Sequence, residues 1–336
     1  MDMSTPLLEV NNLAINFLIG REKVNAVHDV SFSLQPGETL GIVGESGCGK
    51  SVTATSILRL LPARTSEIDP SSSIKLEGRE LTTLSDKEFR QIRGKEISMI
   101  FQEPMTSLNP VQSIGKQMVE MVRAHQKLSR QEAEEICISM LEKVGIPATP
   151  QRMKEYPHQL SGGMRQRVMI AMALSCNSKV LIADEPTTAL DVTIQAQILE
   201  LMQKLKNELG TSIILITHDM GVVAESTDKV MVMYAGEIVE FGRVEDIFLR
   251  PAHPYTIGLQ RSIPKLKGVI ERLSTIEGTV PSLTAMPTGC RFAERCPHCT
   301  QRCLNEHPEL KDIGDGRKVR CHNATMQEGV DHVGEA

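Results

Sequence analysis

Residues 44 to 51 read Gly-Glu-Ser-Gly-Cys-Gly-Lys-Ser, between the apolar run TLGIV and a stretch of helical texture, KSVTATSILRLL. A glycine-rich loop of this spacing lets successive backbone N–H groups curl around phosphates; its lysine reaches the terminal phosphates and its Ser hydroxyl holds Mg²⁺. Strand, tight loop and helix in that order open an α/β unit, whose ligands bind at the carboxyl ends of parallel strands. The nucleotide-binding candidates are therefore Gly44, Glu45, Ser46, Gly47, Cys48, Gly49, Lys50, Ser51 and Val52.

The rest of the chain fits around that nucleus. LLEVNNLAINF and NAVHDVSFSLQPGE alternate apolar and polar residues, with a turn at Pro36 and Gly37, and predict antiparallel strands. Residues 112 to 160 predict a helical insertion, with a capping box at Ser129 and Glu132 and a stop at Gly145. KVLIADE and TSIILITHD are further apolar strands; the helical segment between them makes a βαβ unit with parallel pairing. Asp184 and Glu185 then emerge at a strand's carboxyl end, where Asp184 can hold Mg²⁺ and Glu185 can polarise an attacking water. KVMVMY and GEIVEFG are two short closing strands. Beyond Arg250 the texture turns to proline, histidine and cysteine, which predicts a nucleotide-binding domain over 1–250, an extension over 251–325 and a frayed tail over 326–336.

Composition narrows the function. With 42 acidic against 37 basic residues the net charge is -5, which speaks against a nucleic-acid binder that must neutralise many phosphates. No apolar run reaches the roughly 18 residues of a transmembrane helix, and the opening residues lack a signal-peptide layout, so the chain is expected on the cytoplasmic side.

At LSGGMRQR, residues 160–167, the sequence closely resembles the signature segment of ABC transporter ATPases. That family's other motifs occur in order: Gln102 in IFQEP, the run VLIADE, Asp191 ending ALD, and His218 in ITHD. The resemblance implies a P-loop NTPase fold of the ABC type: a RecA-like parallel-sheet core, an antiparallel β subdomain, a helical subdomain and a small Cys-rich C-terminal extension. It also implies that two such domains meet head to tail with ATP between them. Ser161, Gly162 and Gly163 would face the γ-phosphate held by the partner's P-loop from a helix N-terminus. Glu185, His218 and Gln102 would be catalytic, Ser51, Gln102 and Asp184 would serve Mg²⁺, Asp191 would link the two sites, and Phe17 would stack on adenine.

Two segments, QEPMTSLNP after Gln102 and RPAHPYTIGL at 250–259, resemble the peptide and nickel importer subfamily, its dipeptide-importing branch most of all. This implies an ATPase on the cytoplasmic face of the cell's inner membrane, peripheral to it. Its partners would be a second homologous ATPase or a copy of itself, two transmembrane permease subunits and an extracytoplasmic substrate-binding protein. Met105 and Leu108 would touch a membrane subunit. The cargo would be di- or oligopeptides, with nickel or another small cargo as the alternative. A soluble ABC ATPase acting on DNA or ribosomes would need a long coiled coil between P-loop and signature, or two cassettes; residues 52–159 lack sustained heptads and the chain has one set of motifs.

The terminal cysteines are spaced C-x5-C-x2-C-x3-C, then x17 and Cys321, which matches neither a zinc ribbon nor a ferredoxin run, so spacing leaves zinc and iron-sulfur equal. The subfamily resemblance implies a [4Fe-4S] cluster on Cys290, Cys296, Cys303 and Cys321, with Cys299 spare.

Overall fold

The computed structural model describes residues 5–20, 22–102, 107–188, 190–262 and 275–324. The backbone contacts divide the chain into two compact units, one built mainly from residues 83–215, the other from residues 8–34, 39–82 and the chain from 216 onward.

The second unit carries the P-loop. Its first strand, β1 (Leu8–Ile19), buries Leu8, Val10, Leu13 and Ile15 completely, so the expected alternation is real but irregular, slipping first after Val10. The slip is a bulge. Register shifts between Val10 and Leu13, Asn12 takes φ 50, a left-handed conformation asparagine tolerates, and the Ser31 hydroxyl accepts its N–H at 2.8 Å. β2 (Glu22–Leu34) pairs antiparallel with β1, as do β4 (Ser66–Ile68) and β5 (Ser73–Leu76), and β6 (Arg79–Glu80) extends β5.

A second sheet segment in this unit runs in the order β12 (Lys311–Gly314), β13 (Arg317–Val319), β11 (Glu237–Arg243), β10 (Lys229–Tyr234), β3 (Thr39–Val43). β3 is buried at every residue and pairs parallel with β10. β10 and β11 are antiparallel and joined by Ala235 (φ 47) and Gly236 (φ 85); two left-handed residues make the type I′ hairpin turn, whose twist matches that of its strands. The unit's apolar core gathers Val43, Val230, Val232, Tyr234, Val239, Ile247, Tyr255 and Phe292. Its second compact unit thus runs unbroken through residue 250, since Tyr255 and Phe292 of the extension are 0% and 2% exposed in one core with β3 and β10.

The first unit contains the helical insertion. The helix Ile114–His125 buries Ile114, Met118 and Val122 at one-turn spacing and packs on the helix Arg130–Lys143, which buries Ala133, Cys137, Met140 and Leu141. The capping box at Ser129 forms as read: its hydroxyl accepts the Glu132 N–H at 3.2 Å and the Glu132 carboxylate accepts the Ser129 N–H at 2.8 Å. Gly145 ends that helix at φ 75. Beside these helices lie β7 (Ile97–Ile100) and β8 (Val180–Asp184), paired parallel, with β9 (Ser212–Thr217) next to β8.

Candidate functional site

The P-loop leaves β3 at Gly44 and enters the helix Lys50–Ile57 at Gly49. Its backbone needs glycine for two physical reasons. Gly47 and Gly49 take φ 80 and φ 100, which a side chain opposes. A Cβ on Gly44 would come within 2.2 Å of the Met233 carbonyl oxygen and 2.6 Å of Cys48 Sγ, so the loop is pressed onto β10. Lys50, 5% exposed, folds its ammonium into the curl and donates to the Gly44 and Glu45 carbonyls at 2.7 and 3.0 Å. Burial pushes the Cys48 thiol up, so this cysteine sits in the loop as a neutral, inert packing group. The loop's back is tied to the β10–β11 turn by the Gly236 N–H, which donates to the Cys48 carbonyl at 2.9 Å.

In the same unit, His218 is exposed directly after β9. The next residue, Asp219, caps the helix Met220–Ser226 through its carboxylate and donates its own N–H to the Thr217 hydroxyl at 3.0 Å, fixing the chain on either side of the imidazole. Phe17 lies half-buried near the end of β1, paired with Val24 and Ser66.

The first unit holds the carboxylates. Asp184 is buried at the end of β8 and Glu185 follows at φ 46. A left-handed, non-glycine residue costs of order 1–3 kcal/mol and persists only where its surroundings impose it, as happens at reactive sites. Two neighbours do so here: Gln102 Nε2 donates to Glu185 Oε2 at 3.1 Å and the Thr188 hydroxyl donates to the same oxygen at 2.8 Å. Gln102 and Glu185, read separately from the sequence, are thus brought into contact, while Thr188 was missed; its position three residues after the glutamate, on the turn leaving the strand, is the signal that could have found it.

Ser161 caps the helix Gly162–Leu174, its hydroxyl accepting the Met164 N–H at 3.3 Å. Asp191 caps the helix Val192–Leu209 in the same manner, accepting from Ile194 at 2.9 Å. These caps are adjacent: a Cβ on Gly163 would meet Ile194 Cγ2 at 3.2 Å. The two segments therefore form one surface, and the small residue at 163 is what lets them close on each other.

Two expectations change. Met105 lies outside the described residues. Leu108 is 2% exposed and packs into its own unit rather than presenting an apolar face; among the described residues nearby, Phe101, at 43%, and Val111, at 79%, are exposed. The cysteines are the second. Cys290, Cys296, Cys303 and Cys321 do line one cavity, but its volume is about 10 Å³, the space of a single water. Among the described residues no group of three or more His, Cys, Asp or Glu side chains is placed to hold a metal ion. Burial pushes the Cys290 thiol up to about 12, and the Cys296 and Cys321 thiols up. As arranged among the described residues, they support neither a [4Fe-4S] cluster nor zinc.

Mg²⁺ fares better on donor chemistry, since the Ser51 hydroxyl and the Asp184 carboxylate are the hard oxygen ligands that ion takes.

Comparisons with known proteins identify the family. Residues 27–188 match the family described as ABC transporter, and residues 239–303 match that described as oligopeptide/dipeptide transporter, C-terminal region. The chain is 54% identical to the oligopeptide transport ATP-binding protein AppD of Bacillus subtilis over 95% of its own length and 97% of that protein's. It is 51% identical to the oligopeptide transport ATP-binding protein OppD of Salmonella typhimurium, over 94% and 93%. Among solved structures, the dimeric post-hydrolysis state of the ATP-binding cassette MJ0796 bound to ADP and Pi superimposes with a TM-score of 0.63 at 26% identity, covering 70% of this chain and 98% of that one.

Proposed function

Because the chain belongs to the ATP-binding subunits of ABC-type oligopeptide and dipeptide importers, and is accordingly an ATPase coupled to transport, we propose that its own residues divide the work as follows. The P-loop from Gly44 to Val52 holds the nucleotide phosphates, with Lys50 as the cation among them and Phe17 against the adenine. Ser51 and Asp184 hold Mg²⁺, which when bound neutralises charge that develops on the phosphates. Glu185 accepts a proton from the attacking water at its carboxylate, and Gln102, already donating to Glu185 Oε2 at 3.1 Å, orients that water. His218 donates to the γ-phosphate.

The surface made by Ser161, Gly162, Gly163 and Asp191 faces the P-loop of a second ATPase in a head-to-tail dimer, so that each nucleotide is bound from both sides. The observation that carries the catalytic assignment is Glu185 itself, held at φ 46 directly after β8 with two side-chain donors converging on one carboxylate oxygen.

Two permease subunits, an extracytoplasmic binding protein and a peripheral position on the cytoplasmic face of the membrane complete the assembly. No helix among the described residues is long and apolar enough to cross a membrane, which supports peripheral attachment through partners. The cargo is a short peptide, dipeptide first. The test is to purify the tagged chain from native membranes in mild detergent and assay ATP hydrolysis with and without dipeptide and the soluble binding protein. Recovery of two membrane subunits and a second ATPase, with turnover stimulated by dipeptide, is expected; a chain recovered without membrane partners overturns the assembly, and stimulation by nickel alone overturns the cargo.

A further inference from the structure

The second residue of the P-loop, Glu45, is held by the C-terminal extension. Arg295 lies 250 positions further along the chain, yet its Nη1 donates to Glu45 Oε2 at 2.6 Å and its Nη2 to Glu45 Oε1 at 3.0 Å. This is the parallel fork-to-carboxylate geometry of the strongest side-chain pairs. The remaining donors of the guanidinium are also engaged: Nε with the Glu277 carbonyl at 2.8 Å, Nη2 with the Ile276 carbonyl at 3.1 Å and Nη1 with the Tyr234 hydroxyl at 3.4 Å. The Arg295 side chain is 6% exposed and that of Glu45 29%. Hydrogen bonding to Glu45 raises the Arg295 guanidinium above even its usual range, so the cation is permanent.

Tyr255, also in the extension, accepts the Glu45 N–H on its hydroxyl at 2.8 Å. Its ring packs on Tyr234 at 4.7 Å between centroids and on Phe292 at 5.4 Å. The segment 290–296 therefore grips the loop and the strand behind it together.

We propose that Arg295 is a positioning residue for ATP hydrolysis, acting through Glu45: the C-terminal extension fixes the P-loop's curvature and cancels the one carboxylate the loop carries beside the bound phosphates. Without the guanidinium, Glu45 would present a like charge to the nucleotide, and the loop would lose its side-chain tie to the extension, keeping only the Tyr255 hydroxyl on the Glu45 N–H. Both effects act on nucleotide binding. Neither touches Glu185, so the chemical step at saturation should be nearly unchanged. The inference rests on the P-loop being the nucleotide site, a reading that Lys50→Ala tests separately: if that variant binds ATP normally, the site assignment fails whatever Arg295 does.

The experiment uses the full chain in its transport complex and measures kcat and KM for ATP in Arg295→Gln, Arg295→Lys, Glu45→Gln and the Glu45→Gln/Arg295→Gln double variant. Arg295→Gln should raise KM about tenfold, the scale of one uncancelled charge at the mouth of a protein site, with kcat within about twofold of wild type. Arg295→Lys, which keeps the charge and loses the fork, should recover part of the loss. In the Glu45→Gln background the arginine substitution should change KM less than about twofold, because nothing is left for it to neutralise. An unchanged KM in folded Arg295→Gln overturns the proposal. So does an equal KM effect in both backgrounds, or a loss confined to kcat. If Arg295→Gln alone does not fold, the lysine variant and the double variant decide in the same way, since neither leaves a buried charge unpaired.

Discussion

Acidification should loosen the P-loop's brace through a single buried imidazole. His253 is 1% exposed, and burial lowers its pKa from 6.5 to about 3. Its Nδ1 accepts the Tyr255 N–H at 3.0 Å, so it caps the helix Pro254–Arg261, which carries Tyr255 to the P-loop. A histidine whose folded pKa lies below its unfolded one gives its full stability above the unfolded value and loses it as the pH falls toward the folded value, because only the unfolded chain takes up the proton. The window runs from about 6.5 down to about 3. At about pH 5 the unfolded imidazole is some 1.5 units below its pKa, which amounts to a loss of about 2 kcal/mol relative to neutral pH.

The comparison is wild type against His253→Asn, whose side-chain oxygen can still accept the Tyr255 N–H but does not titrate. Urea unfolding at about pH 7.5 and pH 5, followed by tyrosine circular dichroism, isolates the relevant unit. The chain has no tryptophan, and of its three tyrosines only Tyr156 is exposed. Neighbouring Glu240, which accepts the Ala252 and His253 N–H groups at 2.8 and 2.9 Å and is pushed up by its own burial, titrates in both proteins and drops out of the difference. The asparagine variant will be less stable outright, having lost ring volume; the readout is the difference in pH dependence, with wild type losing about 2 kcal/mol more. Parallel losses in the two proteins would refute a neutral buried imidazole.

Glu185→Gln should preserve ATP binding and the hydrogen bond from Thr188 while lowering turnover by roughly 10²- to 10⁴-fold, the usual worth of a positioned base, whereas Lys50→Ala should weaken both; turnover unchanged in the glutamine variant would reassign the base. Alkylation of the native chain, read by peptide mass spectrometry, should modify exposed Cys299 well before buried Cys48, Cys137 and Cys303. Prompt reaction at Cys303 would show that the four-thiol cavity is open to solvent.

What was legible in the sequence and what was not separates along a physical line. Signals confined to a few neighbouring residues were reliable. The capping box at Ser129 and Glu132 formed, as did the strand, loop and helix at residues 39–57 and the antiparallel pairing of the first two strands. Each depends on backbone geometry that a short window specifies. The burial of Leu108 was not legible, because an apolar residue in a motif looks the same whether it faces a partner or its own core. The cysteines show a related limit: spacing along the chain says which thiols can gather, and Cys290, Cys296, Cys303 and Cys321 do line one cavity, while ligation depends on how much room they find once gathered.

The Glu45 contacts were invisible for a deeper reason. In a G-x-x-x-x-G-K-S loop the phosphates are met by backbone N–H groups and the lysine, so the side chains at the x positions are not required by the ligand. A motif reading passes over them as filler. They are, however, the only side chains in the loop free to fasten it from outside, and here Glu45 is spent on a guanidinium 250 residues away. The residues that meet the nucleotide follow from chemistry common to all such loops; the residue that fixes how this loop is held can be found only where the folded chain brings the extension back to it.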